Sequence, residues 1–165
     1  MPTKPLRCLI LACGNPLRGD DGVGPWLAAW TEERFRAAPD VRVIARQQWT
    51  PELAEEIARA ASVLFIDSSI ESAPGKIQVS PVAPQPRKAG AATHHLNAAE
   101  LLALTHELFA SLPQSAILLT VGAGSTEFTE GFSDAVKAAL PEACSEMEKI
   151  VLKRREREEE CNKKL

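Results

Sequence analysis

The sequence predicts one α/β domain, a three-layer αβα arrangement with helices on both faces of a mostly parallel sheet. Three apolar runs have the length and composition of buried strands, at 6–13, 63–66 and 116–121. Amphipathic helical patterns separate these runs, and no internal repeat is visible. Because strands alternate with helices, a mainly parallel sheet covered on both faces is the simplest arrangement. The 165 residues suit a single domain with one core.

The first half of the chain carries clear start and stop signals. Pro25 suits the first turn of a helix, which begins there or at Asp21 and is expected to end near Ala37. A weak alternating strand follows at 41–45. Thr50 is then favourable as the N-cap of a second helix, which we expect to end near residue 61.

The second half continues the alternation. A short strand is expected at 76–79 after a Pro-Gly turn, and the proline-rich segment 80–93 predicts a mobile loop. Asn97 can cap a helix with a leucine stripe. The last helix is expected to begin near Ser133. Residues 1–152 therefore form the predicted domain, and 153–165 form a charged tail without an apolar face, expected to be a solvated, fraying helix end.

Composition limits the classes of function. A net charge of -3 and a pI of about 5.7 give no basic field for nucleic acid. No leader peptide or membrane span is expected, so we predict a cytoplasmic protein with no membrane partner. None of the four cysteines forms a Cys-x-x-Cys pair, which argues against a disulfide framework or zinc knuckle. Core filling is the simplest role for Cys8 and Cys13.

Candidate chemistry comes from three separate segments, at Asp20-Asp21, Asp67 and His94-His95. The acids follow predicted strands, so their side chains meet in one crevice if those strands are neighbours. Two carboxylates and one imidazole form a borderline ligand set for nickel, zinc, iron or manganese. The alternatives are local: the acids can cap a turn or helix, and a loop histidine can be solvated.

The turn after the first strand carries a recognisable pattern, Gly14-Asn15, Leu17, Asp20-Asp21 and Gly24. It resembles the signature of the nickel-hydrogenase maturation endopeptidases, which remove a C-terminal peptide from the hydrogenase large subunit. The resemblance implies a twisted five-stranded sheet in which one edge strand can be antiparallel. It also implies that Asp21, Asp67 and His94 are the metal ligands and the catalytic residues.

On that resemblance the nickel belongs to the precursor, and the enzyme recognises it there; other divalent metals can occupy the same site. The nickel, or a water that it polarises, would activate the scissile carbonyl. Asp20 is assigned to backbone amides in its turn, and His95 to a bystander role. Ser125 stands where the family often has a proline, so this sequence departs from the family pattern at the far wall of the cleft.

Two other classes of function stay open on the sequence. One is a metal-dependent chaperone that binds the same precursor without cutting it. The other is a small nucleotide-binding module that uses 14–24 as a phosphate loop, although two acids in that loop would repel phosphate.

Overall fold

The computed structural model describes residues 6–90 and 95–162. The strands are β1 (Leu6–Cys13), β2 (Val41–Arg46), β3 (Ala60–Ser69), β4 (Ile77–Pro81) and β5 (Ser115–Gly122). The helices are α1 (Val23–Arg34), α2 (Leu53–Ala58), α3 (Ala98–Phe109) and α4 (Asp134–Asn162), with a 3-10 turn at Gly19–Gly22. The predicted alternation of strands and helices is confirmed.

The sheet has five strands in the order β2-β1-β3-β5-β4. β1, β2, β3 and β5 are parallel, and β4 pairs with β5 as an antiparallel edge strand. The register pairs Ala12 of β1 with Ile66 of β3. The carboxyl ends of these two central strands therefore lie side by side, which is the position where α/β folds bind ligands.

Side chains of β1 and β3 alternate between two cores, because successive residues of a strand point to opposite faces. Ile10 and Leu64 pack with α1 and α4 on one face, and Leu9 and Phe65 pack with α2 and α3 on the other. All four are essentially inaccessible to solvent. These two buried layers hold the carboxyl ends of the central strands in fixed positions.

Several element boundaries differ from the predictions. α1 ends at Arg34, and Phe35 donates its N–H to the carbonyl of Thr31 in a closing turn. α2 is shorter than predicted, because β3 already begins at Ala60. β3 also continues to Ser69, where pairing with the end of β5 supplies further ladder hydrogen bonds. Asp67 consequently lies inside the strand and not in the turn after it.

The charged segment after residue 152 continues α4 without a break as far as Asn162. Arg155 donates two hydrogen bonds to the buried carboxylate of Asp40, from Nε at 3.0 Å and from Nη2 at 3.2 Å. The expectation of a merely solvated, fraying end is therefore wrong at this position, because a bidentate ion pair attaches the helix to the loop before β2. In the two ranges that the structure describes, no helix combines the length and apolarity needed to cross a membrane.

Candidate functional site

The two carboxylates of Asp21 and Asp67 meet in one cavity at the carboxyl ends of β1 and β3. The cavity has a volume of ≈ 450 Å³, and its walls also include Cys13, Trp49 and Glu100. The predicted convergence of the two acids is thus present in the structure. Their assignment as ligands and catalytic groups stays a prediction.

Asp21 is held by two hydrogen bonds that come from different parts of the chain. Its Oδ2 accepts from the backbone N–H of Asn15 at 2.8 Å, and its Oδ1 accepts from the Ser68 hydroxyl at 2.9 Å. Each carboxylate oxygen has a second lone pair, so both can still bind another ligand. The Ser68 contact joins the turn after β1 to β3 and fixes Asp21 next to Asp67.

Two glycines of the signature turn allow backbones to approach closely. Gly14 has φ +146°, and a Cβ there would lie 2.0 Å from the carbonyl oxygen of Asp21. A Cβ on Gly24 would lie 2.2 Å from the carbonyl oxygen of Cys13. Any side chain at either position would displace the turn that carries Asp21.

Asp67 is the strongly perturbed acid of the cavity. Burial raises the pKa of its carboxyl to about 7, the hydrogen bond from the Ser68 N–H opposes this, and the charge of Asp21 raises it further. A carboxyl group that titrates near neutral pH can hold or release a proton under ordinary conditions. In the metal-free cavity Asp67 is therefore suited to proton transfer.

Asp20 has a structural role, but not within its own turn as predicted. It is 1% exposed and accepts hydrogen bonds from Gly124, Ser125 and Ser133, all in the loop between β5 and α4. Burial alone would raise the pKa of Asp20, but the bonds from Ser133, Gly124 and Ser125 outweigh burial and lower it. The acid joins the signature turn to that loop.

The histidine predictions have different outcomes. His94 lies outside the described residues, so its role as a ligand stays a prediction. His95, the expected bystander, lines the cavity, with its Nε2 3.3 Å from Gln48 Nε2. Within 6–90 and 95–162 no group of three or more His, Cys, Asp or Glu side chains is placed to hold a metal. The carboxylates of Asp21 and Asp67 have the chemistry of ligands for a borderline divalent metal, and their assignment as ligands stays a prediction.

Two wall residues were missed by the sequence reasoning. Cys8 is buried as expected, whereas Cys13 lines the cavity and donates its thiol to the carbonyl of Gln47 at 3.4 Å. Burial and the charges of the cavity acids raise the pKa of Cys13 to about 12, although a hydrogen bond with the backbone acts in the opposite direction. The thiol is therefore neutral. Trp49 is 4% exposed and packs edge-on against Phe65. Its position just after β2 was the one sequence signal that could have placed Trp49 near the cavity.

The fold resembles several solved structures. No protein-family model matches the sequence, and no curated protein matches it. The hydrogenase maturating endopeptidase HybD from E. coli is similar with a TM-score of 0.68 and 21% identity, over 86% of this chain and 89% of that chain. A hydrogenase 2 maturation peptidase from a Thaumarchaeota archaeon has a TM-score of 0.65 and 23% identity, over 88% and 97%.

A third similar structure is the NiFe hydrogenase maturation protease HycI from Thermococcus kodakarensis. Its TM-score is 0.65 at 23% identity, and the match covers 88% of this chain and 92% of that one. Nearly the whole chain is therefore matched in each case. The chain has the fold of the hydrogenase maturation endopeptidases.

Proposed function

We propose that this protein is an endopeptidase that removes a C-terminal peptide from a nickel-loaded hydrogenase large-subunit precursor. The observation that carries the proposal is the convergence of Asp21 and Asp67 in one cavity at the carboxyl ends of β1 and β3. The fold of this chain supports the same activity, because the similar structures are named as maturation endopeptidases and proteases. We place the activity in the cytoplasm.

In this proposal the nickel is part of the substrate and arrives with the precursor. Nickel held between the protein and the precursor would supply Lewis-acid polarisation of the scissile carbonyl. The oxygen ligands in this proposal are the carboxylates of Asp21 and Asp67, and His94 is the proposed third ligand. Asn15 and Ser68 orient the carboxylate of Asp21. A site with so few protein ligands binds strongly only when the precursor contributes the rest, so cleavage depends on prior nickel insertion.

The pKa of Asp67 is about 7 in the metal-free site. A nickel ion beside this carboxylate would favour its ionised form, so Asp67 enters the proposal as an oxygen ligand. The neutral thiol of Cys13 is unsuited to nucleophilic attack, because the thiolate is the reactive form. The cavity thus favours hydrolysis by water over a covalent cysteine mechanism.

The nucleotide-binding alternative is disfavoured by the hydrogen bonds of the turn. Backbone N–H groups that would have to face a phosphate are already used, since Gly14 donates to Arg46 and Asn15 donates to Asp21. The carboxylates of Asp21 and Asp67 would also repel phosphate at short range. The chaperone alternative shares the same cavity and is separated by experiment.

The test is incubation of the full chain with a hydrogenase large-subunit precursor of the same organism, with and without nickel, read by mass spectrometry. We expect loss of a C-terminal peptide from the nickel-loaded precursor alone. Asp21→Asn and Asp67→Asn should each abolish cleavage, whereas the exposed carboxylate of Asp134 provides a matched control, Asp134→Asn, with full activity. A stable complex with no change in precursor mass would instead establish the chaperone. Equal cleavage by all variants would remove the acids from the site.

A further inference from the structure

Ser68 contacts both acids of the cavity through two different atoms. Its backbone N–H donates to Oδ1 of Asp67 at 2.8 Å, and its hydroxyl donates to Oδ1 of Asp21 at 2.9 Å. Any residue except proline would supply the backbone contact. The hydroxyl contact depends on the serine side chain, so it is the contact that a substitution can remove selectively.

The backbone that carries this hydroxyl is held by the sheet. Ser68 pairs with Val121 of β5, and the next residue, Ser69, pairs with Gly122. The N–H of Ala123 also donates to the carbonyl of Ser69 at 2.9 Å, which continues the pairing past the end of β5. A hydroxyl on a paired strand has a well-defined position, so it can fix a side chain that comes from a loop.

The carboxylate of Asp21 depends on contacts from outside its own turn. Asp21 lies in the 3-10 turn Gly19–Gly22, and the N–H of Asn15 that binds its Oδ2 belongs to the same stretch of chain. One hydrogen bond lets the carboxylate rotate about that contact, whereas a second bond at the other oxygen fixes its plane. Two ionised carboxylates in one cavity also repel each other, which favours rotation of Asp21 away from Asp67. The bond from Ser68 opposes this rotation.

The orientation of a carboxylate affects how strongly it can bind a metal. Hydrogen-bond partners of metal ligands hold those ligands in place, and removing one lowers metal affinity by about 10- to 100-fold. A pair of carboxylates that already face each other loses little conformational entropy when a metal binds. The hydroxyl of Ser68 gives the cavity this kind of preorganisation.

We infer that the hydroxyl of Ser68 holds the carboxylate of Asp21 toward Asp67 and thereby raises the affinity of the cavity for divalent nickel. This inference rests on the proposed function for the identity of the metal. Ser68 acts through Asp21, so it is a positioning residue and not a catalytic one.

Three variants separate the hydroxyl of Ser68 from its backbone. Ser68→Ala removes the hydroxyl and keeps the N–H that binds Asp67, and Ser68→Thr restores a hydroxyl on a side chain that suits a strand. Ser69→Ala is the matched control, because Ser69 points to the opposite face of β3. Its hydroxyl oxygen accepts from the Glu71 N–H and the Ser72 hydroxyl, each at 3.3 Å. Urea denaturation confirms that each variant is folded.

The first measurement observes the Asp21 side chain in the metal-free protein by NMR. Three-bond couplings from Cγ to the backbone nitrogen and carbonyl carbon report whether an aspartate side chain occupies one staggered rotamer or several. We expect one rotamer of Asp21 in the wild type, Ser68→Thr and Ser69→Ala, and averaged couplings in Ser68→Ala. One unchanged rotamer in Ser68→Ala, or averaging in the wild type, would overturn the inference. This measurement needs neither nickel nor a precursor.

The second measurement is calorimetric titration of the full chain with nickel alone. We expect the Kd for nickel to rise about tenfold in Ser68→Ala, as for the loss of one partner of a metal ligand. Ser68→Thr and Ser69→Ala should bind nickel as the wild type does. Equal nickel affinity of Ser68→Ala and Ser69→Ala would refute the effect on metal binding.

The third measurement is precursor cleavage, which separates positioning from catalysis. In the proposed function the nickel contacts persist from substrate binding through the reaction, so Ser68→Ala should raise KM about tenfold and change kcat by less than about twofold. A fall in kcat at unchanged KM would place the hydroxyl in the reaction itself and refute the assignment. Failure of the wild type to cleave would refute the proposed function, and the rotamer and nickel measurements would still decide the role of Ser68.

Discussion

The conversion of Asp20 to Asn tests the connection between the signature turn and the loop before α4. In the wild-type protein, Oδ2 of Asp20 accepts from Gly124 N–H at 2.7 Å, Ser125 N–H at 3.1 Å and the Ser133 hydroxyl at 2.7 Å. Oδ1 accepts from Ser133 N–H at 2.7 Å. An asparagine has one acceptor oxygen, so its NH₂ must face at least one of these N–H groups.

The magnitude follows from this arrangement. If the amide oxygen of the asparagine takes the place of Oδ2, the three hydrogen bonds to that oxygen are kept. The amide NH₂ then takes the place of Oδ1, and the hydrogen bond from the Ser133 N–H is replaced by a contact between two donors. The loss of one charge-assisted bond costs about 1.5–3 kcal/mol, and the three remaining bonds weaken when the charge is removed. We expect Asp20→Asn to lower the free energy of unfolding by about 3–4 kcal/mol, a large part of the stability of a typical domain.

The assay is urea denaturation followed by circular dichroism, with Asp134→Asn as the control. Asp134 is exposed in the first turn of α4, so its replacement should cost less than about 1 kcal/mol. The hydrogen bonds lower the pKa of Asp20 below its ordinary value of 3.8, so its stabilisation is fully present above that value. It is lost as the pH falls through the lower folded pKa, and the difference between wild type and variant should shrink there.

Two results would refute this reasoning. A denaturation midpoint of Asp20→Asn equal to that of Asp134→Asn at neutral pH would show that the buried hydrogen bonds add no stability. A difference between wild type and Asp20→Asn that grows on acidification would contradict the lowered pKa. The slope of the transition should be the same for all three proteins, since none of the changes alters the surface exposed on unfolding.

Three further predictions concern other parts of the chain. Asp67→Asn should stabilise the metal-free protein by on the order of 2 kcal/mol at about pH 8 and have little effect near about pH 4. The reason is that the pKa of Asp67 is raised to about 7, so ionisation of this carboxyl lowers the stability of the folded protein as the pH rises from about 4 to about 8. Urea titration at both pH values checks this. Arg155→Ala should lower the free energy of unfolding by about 1–3 kcal/mol, because it removes the bidentate ion pair with buried Asp40. It should also accelerate amide hydrogen exchange over 153–162, and unchanged exchange would contradict this. His94→Ala should weaken nickel binding, and His95→Ala should not; calorimetry with nickel alone decides, and the reverse result would make His95 the ligand.

The order and type of the elements followed from local patterns in the sequence. Apolar runs for β1, β3 and β5 were visible because strands buried on both faces are continuously hydrophobic. The start of α3 was visible because Asn97 is a favourable N-cap residue, and its side chain accepts a hydrogen bond from the N–H of Glu100. The glycines of the signature turn were visible as a motif, since their close approaches occur within a short stretch of chain.

Contacts between distant segments could not be read in this way. The partners of Asp20 lie more than a hundred residues away, and the attachment of Arg155 to Asp40 spans a separation of 115 residues. Likewise, the position of Cys13 in a cavity wall depends on how β1 ends against the loop after β2. A polar residue gives no local signal of which remote partner it will meet.

The sequence by itself determined the α/β class, the parallel strands and the two acids of the candidate site, because periodicity and short motifs are local properties of the chain. Only the tertiary structure decided that β1 and β3 are neighbours, and therefore that Asp21 and Asp67 share one cavity. It also decided that the N–H of Trp49 lacks a partner. Strand order and the environment of a buried polar group depend on packing of the whole chain, which no single segment encodes.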